Sequence, residues 1–386
     1  MAITTTQIVC VLHKSLYGAK QSARNFYEQI SEILGELGLQ QSNTDQCIYF
    51  GDKSERLILV LYVDDSLVVG INKSVILQFI EKLKKHFEIS CKPIDCFLGL
   101  QIKRTKDMGV VIHQENYINE VLTRFKMQNC KPTAVLSNRE IFAPDETEEL
   151  KDIPYREVIG SIMYIAVCTR PDIAFATNYL SRHMEKPTKR DWNAAMRILS
   201  YLKGSSKLGI VYEHGADEGF KYFSDADFAS DSSRKSTSGC LITGFGGAIY
   251  WQSSKQSLIA LSSFESELAS SAQCAQELQR FKRLLEEIGY IETPVLYLDN
   301  QAVIASVSNH QQNRRTKHIE IKQFFVRELV ESKQIKVEYI PNEFMLADLL
   351  TKPLTKQGFQ RLLSSLVLKD HVRWKVELFG FRRFSC

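Results

Sequence analysis

Apolar residues alternate between two periods in the first part of the chain. Spacings of three and four residues predict amphipathic helices beginning near Phe26 and Val75. Between them, the runs LILVL and SLVVG flank the tetrapeptide YVDD at residues 62–65, which predicts a β-hairpin with two acids at its tip. The segments FLGLQIKRT and GVVIHQ predict a second hairpin. This mixture of helices and short strands ends near residue 115.

The remaining chain divides into a helical stretch and a mixed one. Helical spacing continues to about residue 205, over 155–168, 171–183 and 189–202 among others. The last third begins with three closely joined strands in GFKYFSDADF, GCLITGF and AIYWQSS. A long helix follows, opened by the capping box SSFE, and then VLYLD, two helices, IKVEYI and a helix at MLADLLTK. The order β-β-β-α-β-α-α-β-α predicts a mixed sheet with helices on its faces.

Composition narrows the class of protein. The chain has 386 residues, of which 44% are apolar, enough for two or three domains. No apolar run approaches the roughly 20 residues of a membrane span, and the start lacks the pattern of a secretion signal. Nine cysteines without C-x-x-C spacing predict reduced thiols in an intracellular protein.

The net charge of +4 is mild, but its distribution is uneven. Basic runs of this kind are usually solvated surfaces, and they become a candidate track for nucleic acid only beside an acidic catalytic site. The basic side chains fall in two clusters: Arg182, Lys186, Lys189, Arg190, Arg197, Lys203 and Lys207; then Arg314, Arg315, Lys317, Lys322 and Arg327.

Carboxylates in the last third of the chain lie in a predicted strand, at a strand end and at the starts of helices, where a metal site could form. Asp225 and Asp227 share one face of the first predicted strand, because strand side chains alternate. Glu267 lies in the first turn of the long helix, Asp299 ends the fourth strand, and Asp348 starts a helix after the fifth. Each acid alone is typical of a cap, but acids that converge from separate elements imply a bound cation. Two Mg²⁺ ions held there could hydrolyse a phosphodiester.

The hairpin acids Asp64 and Asp65 predict a second metal site. Adjacent carboxylates at a hairpin tip can hold Mg²⁺ in a nucleic-acid polymerase, with phosphate oxygens completing its coordination. Such a site needs a further carboxylate from an earlier strand. No Asp or Glu occurs between Met1 and Tyr27. We therefore expect an incomplete polymerase site.

These motifs resemble one family in a fixed order along almost the whole chain. SDADF, RKSTSG, ALSSFESELA, YLDNQAVIA, RTKHIEI and EYIPNEFMLADLLTKPL resemble the ribonuclease H domain of copia-type retrotransposon Pol polyproteins. LHKSLYGAKQSARNFYE, LYVDD and FLGLQI resemble the second half of their reverse transcriptase, and the helical stretch resembles the connecting segment. The resemblance implies an α+β and α/β multidomain protein. Its predicted parts are a partial palm at 1–115 that lacks the fingers and first catalytic strand, a helical thumb or connection at 116–215, a ribonuclease H-like domain at 216–355 and a tail at 356–386.

The resemblance also implies roles for particular residues. The ribonuclease H metal ligands would be Asp225, Glu267, Asp299 and Asp348, and those of the reverse transcriptase Asp64 and Asp65. Asp225 is preferred over Asp227, and Glu265 is assigned to the capping box, although it remains the alternative to Glu267. His318 is a candidate for the proton-shuttling histidine of cellular ribonucleases H, with a solvent-facing or structural role as the alternative. The residues expected to contact nucleic acid are Lys20, Gln21, Arg24, Arg314, Arg315 and Lys317.

The implied activity is hydrolysis of the RNA strand of RNA/DNA hybrids with two Mg²⁺ ions, for which Mn²⁺ can substitute. The implied partners are the hybrid, a primer-template and the remaining Pol polypeptide, without a membrane. The expected location is a cytoplasmic virus-like particle and also the nucleus. Two alternatives stay open from the sequence: the chain also polymerises, or it is a degenerate or host-recruited remnant that binds nucleic acid without catalysis.

Overall fold

The computed structural model describes residues 16, 18–52, 56–105, 109–136, 149–215, 219–230, 233–308, 317–366, 368–370 and 379–385. The chain forms two compact units, one of Met1–Leu98 with Glu377–Cys386 and one of Gly99–Val376. The apolar run IVCVL at residues 8–12, which is typical of a strand, and most of the polar stretch 138–152, which is typical of a surface loop, lie outside the described residues. None of the described helices is both long and apolar enough to cross a membrane.

The α-helices are α1 (Ser22–Glu36), α2 (Lys73–Leu83), α3 (Glu115–Arg124), α4 (Tyr155–Cys168), α5 (Ala174–Ser181), α6 (Lys189–Gly204), α7 (Ser263–Glu287), α8 (Gln301–Ser308), α9 (Lys317–Glu331) and α10 (Lys356–Ser365). The strands are β1 (Gln40–Gln41), β2 (Ile48–Phe50), β3 (Ile58–Tyr62), β4 (Asp65–Val69), β5 (Glu88–Pro93), β6 (Cys96–Phe97), β7 (Leu100–Arg104), β8 (Val110–His113), β9 (Leu208–Tyr212), β10 (Lys221–Asp227), β11 (Thr237–Gly244), β12 (Gly247–Lys255), β13 (Val295–Leu298), β14 (Lys336–Tyr339), β15 (Leu368–Asp370) and β16 (Phe379–Ser385). Short 3-10 helices span Pro171–Ile173, Asn342–Phe344 and Leu346–Leu350.

The first unit is built around an antiparallel sheet in the order β1-β2-β3-β4-β16-β5. The predicted hairpin is β3 and β4, with Tyr62 opposite Asp65 and Val63 in the left-handed region at φ 52°. The apolar stripes of α1 and α2 share one core with this sheet, which includes Leu34, Leu59 and Phe79. The predicted amphipathic helices and hairpin are therefore present. Strand β16, between β4 and β5, has no counterpart in the sequence-based expectation.

The second unit begins with the second predicted hairpin, β7 and β8, which β9 and β15 extend into an antiparallel sheet. Helices α3 to α6 lie in the stretch that the sequence predicts to be helical. These helices share a hydrophobic core with the central mixed sheet, which is formed by β10 to β14, since Ile162 of α4 and Phe223 of β10 belong to one buried cluster. The Trp251 indole N–H of β12 also donates to the Ala166 carbonyl of α4 at 2.7 Å.

The central mixed sheet has the order β12-β11-β10-β13-β14. The first three strands form an antiparallel meander, and β13 and β14 run parallel to β10. Helices α7, α8 and α9 cover this sheet around buried Leu278, Val303 and Val326. The predicted order is confirmed up to its last element, where a 3-10 helix at Leu346–Leu350 replaces the expected α-helix. The part of the chain that the resemblance predicts to be ribonuclease H-like is thus a mixed sheet with flanking helices. The three boundaries between the four parts predicted from the sequence stay predictions.

Candidate metal centre

Two of the predicted acids meet at one edge of the central mixed sheet. Asp225 lies near the carboxyl end of β10, and Asp299 directly follows β13. Because these strands are parallel neighbours, their carboxyl ends open at the same edge. Asp225 is 1% exposed and Asp299 is half-buried. Strand pairing therefore explains how residues 74 positions apart reach one site.

The start of α7 brings in a third carboxylate. The Ser262 hydroxyl accepts from the Glu265 amide at 3.2 Å, and the Glu265 carboxylate accepts from the Leu261 amide at 2.7 Å. Ser262 is therefore the N-cap of α7, as the capping box predicts, but the Glu265 carboxylate accepts from the Leu261 amide instead of the Ser262 amide. Glu267, two residues later, is 8% exposed.

Helix α7 is anchored beside Asp225 by a serine. The Ser270 hydroxyl donates to the Asp225 carbonyl at 2.7 Å and accepts from the Ser224 hydroxyl at 3.0 Å. Both serines are buried. This contact fixes the first turns of α7 against β10 and so sets the position of Glu267.

The 3-10 helix at Leu346–Leu350 approaches the sheet from the other side. It crosses β11 at Gly239, which pairs with Asp225; a Cβ there would lie 2.9 Å from the Ala347 carbonyl oxygen. A glycine therefore permits this close approach. Asp348 is 3% exposed, and the next turn provides a hydrogen bond from the Thr351 hydroxyl to Oδ2 of Asp225.

Lys352 inserts a positive charge between two of the acids. Its Nζ lies 2.8 Å from Oδ1 of Asp348 and 3.6 Å from Oδ2 of Asp225. Burial opposes the ammonium charge, but Asp225 and Asp348 outweigh burial and raise the pKa of Lys352. Neither Lys352 nor Thr351 stands out in the sequence as a candidate site residue. The spacing of four residues from Asp348 to Lys352 was the available signal, yet it is equally common on exposed helix surfaces.

The carboxylates form a group suited to a hard cation. Donor atoms of Asp225, Glu267 and Asp299 all lie within 4.8 Å of one another, and they are the only such group of three among the described residues. Burial raises the pKa of Glu267 to about 10, with further contributions from the charges of Asp225 and Asp299. Burial and Asp225 also raise the pKa of Asp299. Oxygen donors crowded in this way fit a divalent cation such as Mg²⁺.

Asp348 stands apart from that group of three. Burial and the charge of Asp225 raise its pKa to about 8, against the opposing charge of Lys352. Its carboxylate is thus close to Asp225 but is already held by an ammonium group. The structure brings three of the four predicted ligands together and places the fourth beside them.

We expect the metal-free cluster to make stability depend on pH through Glu267. A carboxyl whose pKa increases from 4.5 to about 10 on folding costs stability as the pH rises through that interval, because the folded state resists its ionisation. In EDTA, Glu267→Gln should therefore raise the melting temperature by more at pH 8 than at pH 5. Thermal unfolding of both proteins at the two pH values measures this, and an equal gain at both would contradict it.

The other predicted site residues are spread over the chain. Asp64 and Asp65 lie half-buried at the β3–β4 turn of the first unit, and no third acid joins them among the residues described there. Lys20, Gln21 and Arg24 are exposed around the start of α1. Arg314 and Arg315 lie outside the described residues, as do the side chains of Lys317 and His318 in α9.

The first predicted basic cluster is partly engaged by the protein itself. Arg182 donates to Asn178 at 2.8 Å and lies near the ring of Tyr179. Lys186, Lys189 and Lys207 are exposed. These three lysines are therefore the members of the cluster most available to a polyanion.

Comparison with known proteins supports the resemblance found in the motifs. Residues 3–137 match the family described as reverse transcriptase (RNA-dependent DNA polymerase). The chain is 37% identical over 367 residues to the retrovirus-related Pol polyprotein from transposon TNT 1-94 of Nicotiana tabacum, covering 92% of this chain and 28% of that protein. It is 33% identical to the corresponding polyprotein from transposon RE1 of Arabidopsis thaliana, covering 93% of this chain and 25% of that protein.

Solved structures are similar to this chain at lower sequence identity than the Pol polyproteins. The foamy viral protease-reverse transcriptase in complex with RNA/DNA hybrid is 12% identical, covers 88% of this chain and 40% of its own, and has a TM-score of 0.45. LC11-RNase H1 in complex with RNA/DNA hybrid is 13% identical, covers 34% of this chain and 94% of its own, and has a TM-score of 0.28. The strand order of its sheets therefore defines the fold of this chain.

The carboxylate cluster lies at the edge of the central mixed sheet, and this sheet follows the segment that matches the reverse-transcriptase family. The chain belongs to the copia-type retrotransposon Pol polyproteins. It spans about a quarter of the length of the curated relatives it matches.

Proposed function

We propose that the second unit hydrolyses the RNA strand of RNA/DNA hybrids. The observation that carries this proposal is the convergence of Asp225, Glu267 and Asp299, with donor atoms within 4.8 Å of one another at the carboxyl edge of the mixed sheet. Crowded, buried carboxylates are costly unless a cation neutralises them. Membership in the Pol family supports phosphodiester chemistry as the use of this site.

The roles of the residues follow from their positions. Asp225, Glu267, Asp299 and Asp348 would hold two Mg²⁺ ions, which when bound supply an activated water and a stabilised leaving oxygen. Thr351 positions Asp225 through its hydroxyl, and Ser270 positions the first turns of α7. Exposed basic side chains on the same unit would hold the hybrid by its phosphates.

The test is cleavage of a labelled hybrid by the purified chain. With Mg²⁺, the RNA strand of an RNA/DNA hybrid should be cut, whereas single-stranded RNA and double-stranded DNA should stay intact. An intact hybrid under both Mg²⁺ and Mn²⁺ would overturn the proposal for this chain. Retained binding of the hybrid without cutting would instead favour the non-catalytic remnant.

We expect no polymerase activity from this chain. Asp64 and Asp65 offer two carboxylates at the β3–β4 turn, and no third acid joins them among the residues described in that unit. Both metal ions must be placed for in-line transfer, so two acids alone should lose most of the rate. Primer extension on an RNA template measures this. Extension that disappears in Asp64→Asn would show that the pair is a working site.

We also propose, from the family, that the remaining Pol polypeptide is a partner of this chain. The location proposed on the same ground is a cytoplasmic virus-like particle and also the nucleus.

A further inference from the structure

Lys352 is placed as a cation within the acidic cluster. Its side chain is 29% exposed, and its Nζ reaches both Asp348, at 2.8 Å, and Asp225, at 3.6 Å. The two carboxylate side chains are 5% and 2% exposed, respectively. A positive charge therefore lies between two buried negative charges before any metal binds.

Contacts of the neighbouring residues fix the backbone position of Lys352. Lys352 directly follows Thr351, whose hydroxyl bonds to Oδ2 of Asp225, and its amide donates to the Asp348 carbonyl at 3.4 Å. The 3-10 helix before it is seated against Gly239 of β11. The backbone at Lys352 is thus anchored one turn after Asp348, and this anchoring directs the lysine side chain towards the two acids.

Asp348 differs from the other three acids in its distance to the ammonium group. Asp225, Glu267 and Asp299 form a compact group of oxygen donors, whereas Asp348 lies outside that group and is closer to Lys352, at 2.8 Å, than Asp225 is, at 3.6 Å. A divalent ion at Asp348 would have to displace or approach an ammonium, and like charges at such distances repel strongly in a partly buried site.

We propose that Lys352 is the resident cation of Asp348, so that the isolated chain binds one divalent ion tightly at Asp225, Glu267 and Asp299, and a second only weakly. Lys352 is in this sense a positioning residue that controls metal occupancy. The inference rests on the metal site of the proposed function, but not on hydrolysis. A second ion would then bind tightly only when a further anion, such as a substrate phosphate, joins the site.

The experiment counts bound Mn²⁺ by electron paramagnetic resonance of the free ion, without nucleic acid. The wild-type chain should bind one Mn²⁺ tightly. Lys352→Met should gain a second, with an affinity at least about tenfold higher than the second site of the wild type. It should also melt at a lower temperature in EDTA and gain more on adding Mn²⁺.

Three variants separate charge from packing. Lys352→Arg keeps the charge and should bind one ion, as the wild type does. Asp348→Asn with Lys352→Met removes both charges and should also bind one ion. Lys356→Met alters an exposed lysine nearby and should change nothing.

Two tightly bound ions in the wild type, or unchanged stoichiometry and affinity in a folded Lys352→Met, would overturn the inference. If Lys352→Met does not fold, two tight ions in Lys352→Arg would overturn it, and one would support it. A chain that shows the expected Mn²⁺ counts but leaves hybrids intact would refute the proposed hydrolysis and retain the role of Lys352.

Discussion

Asp299→Asn is expected to abolish Mg²⁺-dependent cutting of the hybrid, with a loss of at least about 10²–10³-fold in rate. Asparagine keeps the shape of the side chain but removes the negative charge that a cation requires. Asp299 is half-buried and follows β13 directly, so the substitution should leave the sheet intact. Initial rates of RNA cleavage at saturating Mg²⁺ measure the effect.

The same variant should be more stable than the wild type in EDTA. Burial and the charge of Asp225 disfavour ionised Asp299, so the neutral amide relieves repulsion within the cluster. Loss of activity together with a higher melting temperature would distinguish a metal ligand from a residue needed for folding. A lower melting temperature together with lost activity would contradict this assignment.

Two glutamates of α7 provide a matched control. Glu267→Gln should lose activity to a similar extent, because Glu267 belongs to the carboxylate group. Glu265→Gln should retain activity, since Glu265 accepts from the Leu261 amide and the side-chain oxygen of a glutamine can accept the same hydrogen bond. Equal losses in both would indicate that α7, rather than its carboxylate, was disturbed.

Arg170→Met is expected to destabilise the second unit by about 3–5 kcal/mol. The Arg170 side chain is fully buried and donates to both oxygens of Asp172, at 2.9 and 2.7 Å. It also donates to the carbonyl and hydroxyl of Ser205, at 2.9 and 2.8 Å, while the Tyr201 hydroxyl donates to Asp172 at 2.6 Å. Removing the guanidinium would leave a buried carboxylate without its counter-charge.

Thermal unfolding measures this loss, which corresponds to a fall of roughly 10 °C in melting temperature for a unit of this size. Adding Asp172→Asn should recover part of the loss, because the second change removes the unpaired charge. Arg280→Met is the matched control: its partner Glu277 lies 3.3 Å away, and its own side chain is 76% exposed, so the change should cost less than about 1 kcal/mol. Equal costs at both arginines would contradict the buried-network interpretation.

Much of the fold could be predicted because its signals are local. The stripe through Ile30 and Leu34 and the alternation in β3 and β4 depend on residues a few positions apart. The 3-10 helix at Leu346–Leu350 was expected as an α-helix, because a short apolar segment does not reveal how tightly it winds. Strand β16 could not be foreseen, since its pairing with β4 and β5 joins residues about 300 positions apart.

The sequence by itself determined the candidate acids, because Asp299 at a strand end and Glu267 after a capping box have positions that local pattern defines. Only the tertiary structure decided which of them meet and what neutralises them. It grouped Asp225 with Glu267 and Asp299 and engaged Asp348 with Lys352. It also buried Arg170, which nothing in the local sequence distinguishes from an exposed arginine. The physical reason is that a charged side chain carries no local sign of burial: its partners come from distant segments, and packing alone brings them within reach.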